Sequence, residues 1–218
     1  SALWPHRAQA WTGIRINLAL LFMNSTNIQA QTKMSDSEAD ILKATVKTLS
    51  DQTKTITADF VQFKHVDFVS NDIESEGKMA FKSPNTVKWE YTKPYAYTAL
   101  FKNETLFIND NGDKSDLDMR SNKTFQQLNQ LIFASIRGDM FDASEFIISF
   151  FKTDGNSEVH FNPKDEEFAE FVQSFNIIFN TKGEVQEVKM IEPSGDYTQI
   201  IFSNRITNQT LSDAVFAQ

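Results

Sequence analysis

Residues 171–180, Phe171-Val172-Gln173-Ser174-Phe175-Asn176-Ile177-Ile178-Phe179-Asn180, decide the fold class. Side chains alternate across an extended strand, so Phe171, Phe175, Ile177 and Phe179 are predicted to share one face. Ser174, Asn176 and Asn180 then fall on the other. The same two-residue rhythm recurs in Met79/Phe81, Val87/Trp89/Tyr91 and Phe146/Ile148/Phe150. Strands that are apolar on one side and polar on the other build antiparallel sheets with one packed and one wetted face. Twenty of the 218 residues are Phe, so the packed face is predicted to be largely aromatic.

Outward from this stretch, the period of two predicts strands over 55–68, 72–82, 86–91, 95–101 and 105–109. It returns over 146–152, 158–162, 184–192 and 196–204. Two segments break the rhythm. Ser35-Asp36-Ser37-Glu38 has the form of a capping box, and Ile41, Leu42, Thr45, Val46 and Leu49 follow at helical spacing, giving a helix from about Asp36 to Ser50. Phe125, Leu128, Leu131, Ile132 and Ile136 mark one face of a second helix over 121–137, stopped by Gly138. Residues 164–167, after Asn162-Pro163, suit a short third helix, and residues 24–35 read as a loose lead-in. Asn109-Asp110-Asn111-Gly112-Asp113 reads as a hairpin turn, because Asn-Gly supplies positive φ. The acidic run reaching Asp116 and Asp118 invites a calcium reading, but its spacing is not that of an EF-hand. The class is therefore α+β: about ten to eleven antiparallel strands in a barrel or half-barrel, with helices against its open face.

The first thirty residues contain no Asp or Glu, two Arg (Arg7, Arg15) and the apolar run Leu18–Met23, with small Ala30 at a plausible cleavage point. This reads as a secretory signal peptide, too short in its apolar part to span a membrane. A disordered leader is the bland alternative. Residues 31–218 then form one expected domain. With no cysteine, disulfide and thiol chemistry are excluded, and a bacterial periplasm suits such a secreted chain. A net charge of −8 argues against nucleic acid as a partner.

No catalytic set competes with the aromatic pattern. His65 and His160 have no second His at ligand spacing, and Ser194-Gly195 lacks a nucleophile elbow. No phosphate-cradling glycine loop is present, so neither an enzyme nor a cofactor is expected. Most buried Phe simply fill a core. Many strands, a long amphipathic mid-chain helix and so much Phe together also suit a container for an apolar ligand.

Three blocks carry a family resemblance: Ala58-Asp59-Phe60-Val61-Gln62, Gly77-Lys78-Met79-Ala80-Phe81-Lys82-Ser83-Pro84, and Val87-Lys88-Trp89-Glu90-Tyr91 with Lys93-Pro94. With Gly195-Asp196-Tyr197-Thr198, Ile201–Asn204, Asn208 and Phe216, the chain over 36–216 resembles the LolA family of outer-membrane lipoprotein carriers. The resemblance implies an unclosed antiparallel barrel, lidded by helices, that holds acyl chains. It implies a lipid-binding cavity face including Phe60, Met79, Phe81, Val87, Trp89 and Tyr91, to which the alternation adds Phe175. By position, Leu128, Leu131 and Ile132 become the lid. The implied function is a periplasmic, monomeric shuttle, taking acylated lipoproteins from an inner-membrane ABC transporter to an outer-membrane acceptor. A lipid-sensing regulatory domain of the same fold is the alternative. Some family members latch the lid with an Arg before the Pro; here Ser83 stands there.

Overall fold

A computed structural model describes residues 31–121, 123–138 and 140–217. The side chains of residues 124, 125 and 128 lie outside that description, as does the expected leader over 1–30. All strands join one antiparallel sheet. In chain order they are β1 Thr32–Lys33, β2 Thr55–His65, β3 Ile73–Lys82, β4 Thr86–Lys93, β5 Tyr97–Lys102, β6 Thr105–Asp110 and β7 Asp113–Asp118. After the long helix come β8 Phe146–Thr153, β9 Asn156–Pro163, β10 Ser174–Phe179, β11 Val185–Ile191 and β12 Tyr197–Thr207. The helices are α1 Asp36–Gln52, α2 Lys123–Arg137 and α3 Glu166–Ala169, followed by a terminal 3-10 turn, Asp213–Phe216.

The spatial order is β1-β8-β9-β10-β11-β12-β2-β3-β4-β5-β6-β7, so β1 and β7 are edges that do not meet and the barrel is unclosed. Twelve strands exceed the ten to eleven expected. The two unanticipated strands are the edges. β1 has two residues, pairing with Phe151 and Lys152 inside the supposed lead-in. β7 is acidic and almost wholly exposed, so no apolar alternation announces it. Its turn does: Asn111 and Gly112 take positive φ and join β6 to β7 as the dipeptide requires.

Ser35 caps α1 as a full capping box: its hydroxyl accepts from Glu38 N (3.3 Å), and Glu38 Oε2 accepts from Ser35 N (2.9 Å). The reading of Phe171 as an inner strand residue is corrected. Asp165 caps α3 by accepting from Phe168 N (2.9 Å), and helical hydrogen bonding continues from Val172 N to Phe168 O (3.1 Å). The local period is thus three to four, so Phe168 and Val172 turn inward while Phe171 stays 56% exposed. The strand begins only at Ser174.

Two apolar clusters fill the concave side. One joins α1, α3 and β8–β11 through Val46, Phe161, Phe168, Ile177 and Phe179. The other joins β2–β5 and α2 through Ile56, Phe60, Met79, Phe81, Val87 and Ile136. Helix α2 touches both, with Leu131 in the first and Ile136 in the second. The β2–β3, β4–β5, β6–β7, β9–β10 and β11–β12 connections emerge at one rim of the sheet, and α1 packs toward the opposite end, beside Gly183 of the β10–β11 turn.

Candidate functional site: an apolar cavity under helix α2

Where α2 crosses the concave face, the side chains do not meet completely. A cavity of about 330 Å³ remains. One wall is Trp89 and Tyr91 of β4, Tyr97, Ala99 and Phe101 of β5, and Leu106 of β6. The facing wall is Phe175 of β10, Val188 and Met190 of β11, and Thr198, Ile200 and Phe202 of β12. Leu131, Ile132 and Ser135 of α2 form the roof.

The alternation places these groups. Trp89 pairs with Ala99 and with Met79 across the ladder, and Tyr91 pairs with Tyr97 and Gly77. Phe60, a strand further on, meets both aromatic rings edge-on, at 4.9 Å from Trp89 (72°) and 5.1 Å from Tyr91 (80°). Trp89 leans on Phe202 at 5.9 Å, which closes the floor between β4 and β12. Among the residues expected to hold lipid, Trp89, Tyr91 and Phe175 therefore line the cavity. Phe60, Met79, Phe81 and Val87 share the inner face but are buried against neighbouring side chains and are not part of the lining. Of the expected lid residues, Leu131 and Ile132 face the cavity, and the side chain of Leu128 lies outside the described residues. Sequence reasoning passed over Tyr97/Ala99/Phe101, Val188/Met190 and Thr198/Ile200/Phe202, although each set has the same two-residue spacing.

Two polar groups in the walls are engaged with the protein itself. Tyr91 OH donates to Gln62 Oε1 (2.9 Å), and Ser135 Oγ donates to Ile132 O (2.9 Å). Burial, then the neighbouring Tyr97, pushes the Tyr91 phenol above its usual pKa, so it stays neutral. What remains for a guest is mainly ring face, methyl and thioether, with the Tyr97 and Thr198 hydroxyls among the lining residues. His65 pairs with Asp72 (2.7 Å) and stacks on Tyr197, while His160 pairs with Glu158 (2.7 Å). Neither His lines the cavity. Among the described residues no cluster of three His, Cys, Asp or Glu could hold a metal ion.

The family described as outer membrane lipoprotein carrier protein LolA matches residues 51–218. The chain belongs to the LolA family. Its fold is similar to that of a LolA superfamily protein from Nitrosomonas europaea (9% identity, TM-score 0.43, covering 83% of this chain and 97% of that one). It is also similar to the Mycobacterium tuberculosis lipoprotein LppX (8%, 0.45, 82% and 99%) and to a chain of the Pseudomonas aeruginosa MucA/MucB complex (10%, 0.49, 82% and 61%). No curated protein matches the sequence. The matched region carries the whole cavity, from Trp89 to Phe202. In this LolA-family chain Lys82, beside Ser83, ion-pairs with Asp213 of the terminal turn at 2.9 Å. An ion pair ties the N-terminal end of α2 down: Lys123 with Asp165, the residue that caps α3.

Proposed function

We propose that this protein is a periplasmic carrier that binds the acyl chains of lipoproteins beneath α2 and moves them from an inner-membrane ABC transporter to an outer-membrane acceptor. The observation that carries this reading is the unfilled apolar cavity, in a chain of the LolA family. Each methylene taken from a bilayer into water costs about 0.8 kcal/mol, so a multiply acylated protein needs apolar cover to leave a membrane. Rings and the Met190 thioether provide that cover without a fixed shape, which permits release as well as capture. A volume of about 330 Å³ lies at the small end of ligand pockets, so a full set of acyl chains requires α2 to shift outward.

The test is to isolate the protein from a periplasm with its cargo and identify acylated material by mass spectrometry, wild type beside Trp89→Glu. A carboxylate at Trp89 faces the cavity and must lower acyl recovery at least about tenfold, since burying a charge beside hydrocarbon is strongly unfavourable. Wild-type protein free of acylated material, or equal recovery from a folded Trp89→Glu variant, overturns the reading.

A further inference from the structure

The exposed aromatic residues are not scattered. Among the described residues three aromatic side chains are exposed: Phe68 (90%), Tyr95 (79%) and Phe171 (56%). They stand on the β2–β3, β4–β5 and β9–β10 connections, all at the same rim. Val69 and Ile73 extend the β2–β3 patch. The strand ends below this rim supply Tyr97, Phe175, Met190 and Thr198 to the cavity wall, so the patch stands over that end of the cavity.

The tip that lifts Phe68 is braced rather than loose. Val69 N donates to Val66 O (2.8 Å), and Asp67 N donates to Asp196 Oδ1 (2.9 Å) in the β11–β12 turn. Asp72 accepts from Tyr197 OH (3.2 Å) and pairs with His65, whose ring stacks on Tyr197 at 4.8 Å. A hairpin held at both flanks presents Phe68 to the outside in a fixed position. Single exposed apolar groups are ordinary, but several gathered on one rim mark a contact surface.

We infer that this rim docks on the interface of a lipid bilayer, with Phe68, Tyr95 and Phe171 entering the headgroup region and that end of the cavity facing the lipid. Aromatic side chains on separate loops suit that interface: Phe68 and Phe171 offer ring area to bury, and Tyr95 a ring whose hydroxyl can stay wet. The charges fix the kind of surface. Asp67 and Asp72 lie on the β2–β3 connection, Asp165, Glu166, Glu167 and Glu170 on the β9–β10 connection, and Glu192 and Asp196 on the β11–β12 turn; against them stand Lys64, paired with Glu192, Lys93, paired with Glu76, Lys164, and Lys189 over the Tyr197 ring. An acidic rim is repelled by anionic lipid, so the partner is a zwitterionic surface. The inference gives the carrier reading a place of exchange, but its test does not require that reading to hold.

The test is flotation of the full chain with vesicles of phosphatidylcholine and phosphatidylethanolamine, and with vesicles containing added phosphatidylglycerol. Wild type floats with the zwitterionic vesicles, floats less with anionic ones, and regains binding to the latter as salt screens the repulsion. Phe68→Ser/Tyr95→Ser lowers the partition at least about tenfold, as expected for removing two buried rings. Its thermal midpoint and its binding of a fluorescent fatty acid stay at wild-type values, because neither residue lines the cavity. No flotation of wild type, or equal flotation of the double variant, overturns the proposal. So does a rim that, without binding vesicles, pairs two copies of the chain in light scattering and releases them on Phe68→Ser. If vesicles bind but fatty acid does not, the carrier reading fails and the rim proposal stands.

Discussion

Gly77→Ala tests whether the wall of the cavity is built as described. Gly77 sits on β3 opposite Phe60 and Tyr91, at the point where the β3–β4 register shifts between Glu76 and Gly77. A β-carbon there would lie 2.3 Å from Glu90 O, and 2.6 and 2.8 Å from Cζ and Cε1 of Phe60. The first contact is with backbone and cannot be relieved by a rotamer change. The strands must separate locally, and Phe60 must tilt away from the two rings it meets edge-on. Overpacking of this kind costs about 1–3 kcal/mol, and disturbing two aromatic pairs adds about 0.5–1.5 kcal/mol each. Stiffening the unfolded chain returns about 0.4–1 kcal/mol. A net loss of about 1–5 kcal/mol lowers the thermal midpoint by roughly 2–20 °C for a chain of this size. Circular dichroism melts and urea titrations measure the loss, and a fluorescent fatty acid measures the cavity, which should bind more weakly because Trp89 and Tyr91 move with β4. Adding Phe60→Leu should restore part of the stability, since it frees the ring contacts but not Glu90 O. A Gly77→Ala protein within about 0.5 kcal/mol of wild type would refute this account of the wall.

Other expectations follow from the same geometry. Val87 is wholly buried against its neighbours whereas Trp89 borders the cavity, so Val87→Glu should fail to fold and Trp89→Glu should fold but bind acyl probes poorly, compared by circular dichroism and probe titration. Lys152, aided by Ser35, holds the Glu38 carboxyl at about 2 rather than 4.5, so its contribution to stability is full above about pH 4.5 and is lost as pH falls toward 2; a Glu38→Gln variant should show a flatter melt-versus-pH curve over that window. Lys123 holds the Asp165 carboxyl below its usual range, so the α2–α3 clasp persists above that range and opens as pH falls through the lowered value. Asp165→Asn keeps a capping side chain but removes the charge, and stopped-flow uptake of a fatty acid should be faster than in wild type at neutral pH.

Most of the fold could be read from the chain because one face of each long strand is apolar and the other is not. β3, β4 and β10 announce themselves by spacing alone, and α1 by Ser35 and Glu38. The signal fails where burial does not set the sequence. Edge strand β7 buries almost nothing, and β1 is only two residues whose role depends on β8. At Phe171 a local cap overrode an apparent period of two. The cavity was legible as a face but not as a boundary. Phe81 and Trp89 obey the same alternation, yet only Trp89 reaches open space, because Ile136 and Met119 fill the concave side beside Phe81. Alternation gives the direction of a side chain. Whether another side chain meets it depends on where α2 crosses, and no spacing within a strand encodes that.

The position of α2 also determines how the container can open under the carrier reading. Its C-terminal end is embedded: Ile136 is fully buried, and Gly138, at φ +79°, lets the chain turn so close to Phe179 that a β-carbon would approach its ring to 2.6 Å. Its N-terminal end is tied to α3 by Lys123 and Asp165, an ion pair whose Lys is well exposed. Exposed pairs are weak beside a buried aliphatic group. On the carrier reading, displacement of α2 should therefore lift its N-terminal half and pivot near Gly138. Leu131, midway along, lines both the main cavity and a second hollow of about 160 Å³, whose wall mixes Met140, Phe146 and Phe168 with Gln127, Gln130, Asp142, Glu145 and Asp165. On the carrier reading, lifting that residue should join the two spaces and bring the apolar wall of Met140, Phe146 and Phe168 into the container, while the β2–β5 core beneath Ile136 stays closed.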